Sequence, residues 1–342
     1  MHLCANVLKF MDYADKILLM NDTSFQHHFN NLHHNHQHLL ALLSYLQSND
    51  YRFITISPAS HQAVNARQQA AFGNAMTDIF GWNRTFQSEK IDSNLFNLMQ
   101  SANIAIPVEN GWKSLLRVSS INNQLFLHSA FPTLANSSVF FGPDTYRFAH
   151  AIHNFLITAN QPINTAVDIG TGSGAGAILL ALALPECDIV AADINNDALE
   201  LARINVQAEE IENIRLVQSD LLHQLTGNFD LIIANPPYLN DASERAYRHG
   251  GGQLGAALSL DIVDSAIQRL NPNGTLLLYT GVAIVDGHDA FLAQAKAKLD
   301  LAGFSYQYTE IDPDIFGEEL LSQAYSQADR IAAVVLTATK PA

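Results

Sequence analysis

Hydrophobic positions fall into two textures along the chain. Between Thr23 and Gln47, Phe25, Phe29, Leu32, Leu39, Leu40, Leu42, Leu43 and Leu46 recur at helical spacing, which gives a helix one apolar face. A second helix is expected from His61 to Phe80, closed by Gly81. A third is expected near Asp92–Asn103, where Asp92 or Ser93 can cap the first turn. Trp112–Ser119 and Gln124–Ser129 flank Ile121-Asn122-Asn123, a pattern of two strands around a turn. Three helices and a hairpin predict a mainly helical N-terminal unit, winged-helix-like in arrangement.

From Thr165 short apolar runs alternate with helical stretches. Ala166–Ile169, Cys187–Asp193, Ile214–Gln218, Leu231–Asn235 and Thr275–Thr280 are expected strands, with helices after Gly174, from Asp197 and from Leu258. Strands apolar throughout are buried on both faces, so this order predicts an α/β fold with a doubly wound, mostly parallel sheet. Phe304–Glu310 and Ile331–Ala338 have no clear long helix between them and are expected to pair antiparallel, which makes seven strands. The boundary is placed near Asn136, giving units 1–136 and 137–342.

Composition changes this picture in one respect. The chain has 342 residues, 48% hydrophobic and 15% charged, enough to bury a sizeable core and too apolar for disorder. Its net charge of −15 is uneven: residues 1–130 hold 8 basic and 8 acidic side chains, and residues 131–342 hold 10 and 25. In the acidic half the acids far outnumber the Lys and Arg that could grip phosphates, so nucleic acid is a disfavoured partner. Cys4 and Cys187 allow at most one disulfide, which points to a reducing compartment. No apolar run approaches the roughly 18–20 residues of a membrane span. Lys9, Asp12, Asp15 and Lys16 interrupt any leader, so a cytoplasmic protein with no membrane partner is expected.

The candidate chemistry lies at strand ends. Val167-Asp168-Ile169-Gly170-Thr171-Gly172-Ser173-Gly174 follows an apolar strand and opens a helix, where glycines let the backbone turn sharply and approach a ligand. Alone, this loop fits a dinucleotide fingerprint or a plain tight turn. Asp168 before the glycines favours a cation over a pyrophosphate. Asp193-Ile194 ends the next strand, where an acid can hold both ribose hydroxyls, and Ser219-Asp220-Leu221 ends the third, where an acid can accept an aromatic amine. The fourth strand ends in Asn235-Pro236-Pro237-Tyr238. The prolines stiffen the chain, and the carbonyls of Asn235 and Pro236 with the Asn235 side chain can accept both hydrogens of a planar NH2 group. Accepting those hydrogens stabilises charge that grows as the nitrogen attacks.

Together Asp168–Gly174, Asp193, Asp220 and Asn235–Tyr238 resemble the class I S-adenosylmethionine-dependent methyltransferases that carry an Asn-Pro-Pro-Tyr motif. The resemblance spans about 139–340 and implies a Rossmann-like sheet with S-adenosylmethionine as cofactor. It implies Gly170, Thr171, Gly172 and Gly174 under the methionine part and Asp168 near its ammonium. Asp193 and Ile194 would lie at the ribose, and Ser219, Asp220 and Leu221 at the adenine. Asn235 would bind the target nitrogen, with Pro236 and Pro237 beside it and Tyr238 stacking on it. Such enzymes modify glutamine amides of release factors and other proteins, or exocyclic amines of adenine and guanine. A protein glutamine is the preferred acceptor here, with residues 1–136 as the recognition unit. A nucleic-acid amine, a small molecule and a non-catalytic cofactor-binding module are the alternatives.

Two stretches are similar to the release-factor glutamine methyltransferase group. Phe140-Phe141-Gly142-Pro143-Asp144-Thr145-Tyr146 shares a proline, an acid and a threonine with a segment of that group, which makes Thr145 a substrate candidate. In Arg245–Gly255, Gln253 stands where the group has an acid, and Arg245 and Arg248 either touch the substrate or pair with nearby acids. Six histidines between His27 and His38 include an i,i+4 pair, His34 and His38, but no acid or Cys joins them, so a solvated helix face is expected and no metal. The acidic loop Glu310–Glu319 is expected to be solvated, and Trp82 and Trp112 to be core residues.

Overall fold

The computed structural model describes residues 32–131, 133, 135, 137–240 and 247–342, with backbone alone at 32–34 and 253. The N-terminal portion contains α1 (Leu32–Ser48), α2 (Pro58–Asn65) and α3 (Ser93–Ser101). Leu39, Leu42, Leu43 and Leu46, three and four residues apart, put one face of α1 into the core. Asp92 caps α3: its Oδ1 accepts from the backbone N–H groups of Asn94 at 2.8 Å and Leu95 at 3.1 Å. Trp82 and Trp112 pack against this core, as expected.

The second helix is shorter than its apolar spacing predicts. It stops at Asn65, and a 3-10 turn (Gln68–Ala70) and a π turn (Thr77–Gly81) replace the rest. Asp78 starts a new turn instead, accepting from Asn74 N at 3.1 Å and Ala75 N at 3.2 Å, and Gly73 bridges to Phe86. The hairpin also differs in extent. The strands around Asn122-Asn123 are β3 (Leu116–Ile121) and β4 (Gln124–Ser129). Trp112 belongs to a second hairpin, β1 (Ala105–Val108) with β2 (Gly111–Ser114). Ser114 Oγ turns back to donate to Leu116 O at 2.6 Å, breaking the run expected from Trp112 to Ser119.

The α/β portion opens with α4 (Pro143–Thr158) and continues β5 (Thr165–Ile169), α5 (Ala175–Ala183), β6 (Asp188–Asp193), α6 (Asn196–Ala208), β7 (Ile214–Gln218) and β8 (Phe229–Ala234). It ends α7 (Ala257–Arg269), β9 (Leu270–Val285), the short β10 (His288–Asp289), α8 (Ala290–Leu301), β11 (Ser305–Asp312) and β12 (Arg330–Thr339). The sheet order is β11-β12-β9-β8-β5-β6-β7, with β10 beside β9. β5 to β9 are parallel, and β12 and β11 add antiparallel, as their lack of a crossover helix requires. Val167, Ile232 and Leu276 are buried on one face and Ala166, Leu231, Ile233 and Leu277 on the other.

The two portions share a core along α6. Ala198, Leu201 and Ile204 of α6 pack into the same cluster as Leu39, Leu42 and Leu46 of α1. Asn205, fully buried, donates to Leu127 O at 3.1 Å and Ser173 O at 2.8 Å and accepts from Leu127 N at 2.9 Å. One amide thus ties β4 to the glycine loop, which a buried polar group does only when its capacity is used. Among the described residues no helix is long and apolar enough to cross a membrane.

Candidate active site

A cleft of about 230 Å³ opens at the carboxyl ends of β5, β6, β7 and β8. The chain order reverses between β5 and β8, which is where open α/β sheets leave a crevice. Gly170 and Gly172 line it with φ of 68° and 55°, a left-handed backbone that side chains rarely adopt. Asp193 locks this loop: Oδ2 accepts from Gly172 N at 2.8 Å and Oδ1 from Asn195 N at 2.9 Å. A carboxylate has further lone pairs, so Asp193 keeps acceptor capacity towards the cleft. Burial raises its pKa, and the backbone donors oppose that shift.

Asp168 lies deeper, 2% exposed. Its Oδ2 accepts from Thr171 Oγ1 at 2.6 Å and Ala177 N at 3.0 Å, so Thr171 serves the site through this acid. Burial pushes its pKa up to about 7, with the neighbouring Asp193 adding to the rise. The carboxyl fits because α5 has Gly176 beside it; a Cβ there would stand 2.7 Å from Oδ2. Gly174 does not line the cleft. It has φ of 83°, and a Cβ there would stand 3.2 Å from that of Ala202, so it serves the packing of α5 on α6.

Ile194, Ser219, Asp220 and Leu221 form the next wall. Gln224 joins two of them: its Oε1 accepts from Ser219 Oγ at 3.0 Å and from Asp220 N at 2.8 Å. The Asp220 carboxylate is exposed, 3.6 Å from His223 Nδ1. Asn235, Pro236, Pro237 and Tyr238 continue the wall from the end of β8.

Tyr238 departs from its expected part. It is 7% exposed, edge-on to Tyr279 at 6.4 Å and Phe316 at 6.1 Å, and its ring lies where a Cβ on Gly281 would be, 2.3 Å away. Burial, with the field of Asp144 adding, raises the pKa of its hydroxyl well above the usual tyrosine range. So embedded, Tyr238 fixes the tetrapeptide rather than offering a free face for stacking.

Asp144 is the hub of this end. It sits in the first turn of α4, 4% exposed, and its Oδ1 accepts from Tyr279 Oη at 2.5 Å and Arg147 Nη1 at 3.1 Å. Burial raises its pKa, and the tyrosine and arginine donors oppose this. Arg147 continues to Asp312 at 2.7 Å. Thr145 lines the cleft and accepts from Gly142 N at 3.3 Å. Arg248 lines it too, pairing with Glu319 and standing 5.9 Å over the Phe316 ring. The loop expected to be solvated therefore walls the cleft through Phe316, while its acids Asp312 and Glu319 pair with Arg147 and Arg248. Tyr247 donates to Thr133 O at 2.6 Å and stacks on Phe140. Arg245 lies outside the described residues.

Asp144, Phe140, Tyr247, Tyr279 and Phe316 were not singled out from the sequence as site residues. Only Asp144 carries a local signal, an acid beside a proline at a helix start. Among the described residues no three His, Cys, Asp or Glu side chains cluster as metal ligands. His36 contacts the Gln207 side chain; His27, His28 and the side chains of His33 and His34 lie outside the described residues.

Residues 153–284, inside the α/β portion, match the family model "Methyltransferase small domain". The match lies within the portion whose strand ends form the cleft. Among curated relatives, a ribosomal protein uL3 glutamine methyltransferase of Neisseria meningitidis is 38% identical over 136 residues, 36% of this chain and 45% of that protein. A release factor glutamine methyltransferase of Deinococcus radiodurans is 32% identical over 192 residues, 53% of this chain and 64% of that one. The chain spans about half the length of the curated relatives it matches. A solved methyltransferase from Pyrococcus furiosus has a TM-score of 0.41 at 22% identity, covering 57% of this chain and 83% of that one.

Proposed function

We propose that the protein is an S-adenosylmethionine-dependent N-methyltransferase of the cytoplasm whose acceptor is a glutamine side-chain amide of a protein. The observation that carries the reading is the Asn235–Tyr238 tetrapeptide on the wall of the same cleft as the glycine loop. The cleft suits the cofactor. Gly170 and Gly172 let backbone approach it, Asp193 has lone pairs for a vicinal diol, and Asp168 is a buried acid able to balance a cation. S-adenosylmethionine supplies an electrophilic methyl group on a sulfonium. The chain supplies orientation, the larger share of the work when two bound groups need only be aligned. Asn235 Oδ1 and the Pro236 carbonyl accept the amide hydrogens, and Tyr238, seated over Gly281 between Tyr279 and Phe316, keeps them in place. The names of the uL3 and release-factor relatives support a glutamine over a nucleic-acid amine, as does the net charge of −15 carried by residues 131–342. Residues 1–136 are assigned the recognition of the acceptor and residues 137–342 the transfer.

The test is labelling of a cell extract with tritiated-methyl cofactor, then separation into protein, RNA, DNA and small-molecule fractions. Label in protein, recovered as methylglutamine, is the expected result. Label confined to nucleic acid or to small molecules overturns the amide reading.

A further inference from the structure

Phe316 in the acidic loop holds a backbone conformation that its side chain opposes. Its φ of 52° and ψ of 41° are left-handed, which brings Cβ too close to the following carbonyl oxygen. The other non-glycine residues with positive φ are mostly Asn or Asp, whose short polar side chains tolerate it. Among the described residues the apolar ones are Leu221, Leu254 and Phe316, and both Leu221 and Phe316 line the cleft. The neighbours of Phe316 impose the strain. Ile315, buried in the core, donates its N–H to Ile331 O at 2.8 Å. Phe316 O accepts from Glu319 N at 2.8 Å, and the Glu319 carboxylate is paired with Arg248. Strained residues persist only where their surroundings over-determine them, and they concentrate at functional sites. A glycine or asparagine would make this turn without strain, so the turn does not explain the phenylalanine.

Packing explains only part of it. The ring is half-buried, edge-on to Tyr238 at 6.1 Å, with Arg248 Cζ 5.9 Å from its centre. Among the other aromatic rings that line the cleft, Phe148 and Tyr238 are buried, and Phe140 and Tyr247 stack on each other at 6.4 Å. Phe316 is neither buried nor stacked face to face on another ring. A planar NH2 group whose hydrogens are accepted in its own plane has two flat faces left. Its nitrogen attacks the methyl group through one of them, and the protein must keep water from the other. An aromatic ring suits that second face.

We propose that Phe316 is a specificity-determining residue whose ring covers the face of the acceptor's planar amide turned away from the methyl donor. Tyr238 cannot take this part, because its own ring is embedded against Gly281. The identity of the covered group as an amide rests on the function proposed above.

The test titrates the full chain with N-acetylglutamine methylamide, the demethylated cofactor being present, and reads binding by saturation transfer from protein to probe. N-acetylglutamate methylamide is titrated beside it, and urea midpoints are measured in parallel. Phe316→Ala and Phe316→Gly should each weaken the glutamine probe about tenfold, while Phe316→Tyr should bind it as the parent does. Stability should separate the first two: alanine keeps the left-handed strain and glycine does not, so Phe316→Gly should unfold at the higher urea concentration. Equal losses of binding at unequal midpoints assign the effect to the ring. A glutamine probe that Phe316→Gly binds as well as the parent, or an affinity that follows the midpoint across the variants, overturns the proposal. Equal binding of the glutamine and glutamate probes, both weakened without the ring, would instead overturn the amide reading and leave the part of Phe316 standing, so the two fail separately.

Discussion

The two ends of the cleft are built on different principles. At the end proposed for the cofactor each contribution is local: a glycine loop after β5, Asp193 closing β6, and Ser219-Asp220 after β7. Most of the bonds that shape it are to backbone N–H groups only a few residues or one strand away. At the end proposed for the acceptor the tetrapeptide's Tyr238 is held by distant segments: it lies against Gly281 and edge-on to Tyr279 of β9 and Phe316 of the acidic loop, and Tyr279 is in turn bonded to Asp144 of α4. The first end is a property of the sheet's strand ends. The second is an assembly, so it can differ between relatives without disturbing the first.

The strongest way to break that contrast is Asn235→Ala. It should lower the rate of transfer about 10²–10³-fold, the usual loss when a donor or acceptor aimed at developing charge is removed. Calorimetry should find cofactor affinity within about twofold of the parent; an equal loss in both would merge the two ends. Asp193→Ala is the converse, since it removes the acceptor for Gly172 N and Asn195 N. Cofactor affinity should fall by about 2–3 kcal/mol, and an unchanged affinity would refute the ribose assignment. Gly281→Ala forces the Tyr238 ring from its seat and should destabilise the protein by about 1–3 kcal/mol in urea unfolding. Its transfer rate should drop while the cofactor still binds, because the displaced group is on the acceptor side.

Asp168 sharpens the contrast through pH. Its folded pKa of about 7 is above the unfolded value of about 3.9, so folding favours the protonated form. The stabilisation is complete below about pH 4 and is lost as pH rises to about 7. Relative to Asp168→Asn, the parent should therefore lose stability over that interval, and the demethylated cofactor, bringing an ammonium, should flatten the difference. Urea midpoints at pH 5 and pH 7.5 measure both. The smallest effect belongs to the rim: Glu319→Gln removes one partly exposed ion pair with Arg248. A stability change under about 1 kcal/mol is expected, with any larger consequence confined to the Michaelis constant for the acceptor.

Legibility follows the same division. Ile214–Gln218 was delimited from the sequence to the residue, and the antiparallel pairing of the last two strands was also correct. The helix over His61–Phe80 failed because Asp78 offers the backbone a local bond that apolar spacing does not register. The single strand over Trp112–Ser119 failed because Ser114 turns back on its own chain. Tyr238 was assigned a free aromatic face because its motif is local, whereas the glycine that seats its ring lies 43 residues further on.

The sequence alone determined the parallel sheet, the glycine loop, the strand-end acids and the tetrapeptide, because each rests on a short period or on adjacent residues. Tertiary structure alone decided that Asp144 would join α4 to Tyr279, that the acidic loop would wall the cleft through Phe316, and that α6 would carry both cores. These depend on burial and on pairings between remote segments. A side chain's charge state and partners are settled by what the fold packs against it, and no window of the chain contains that information.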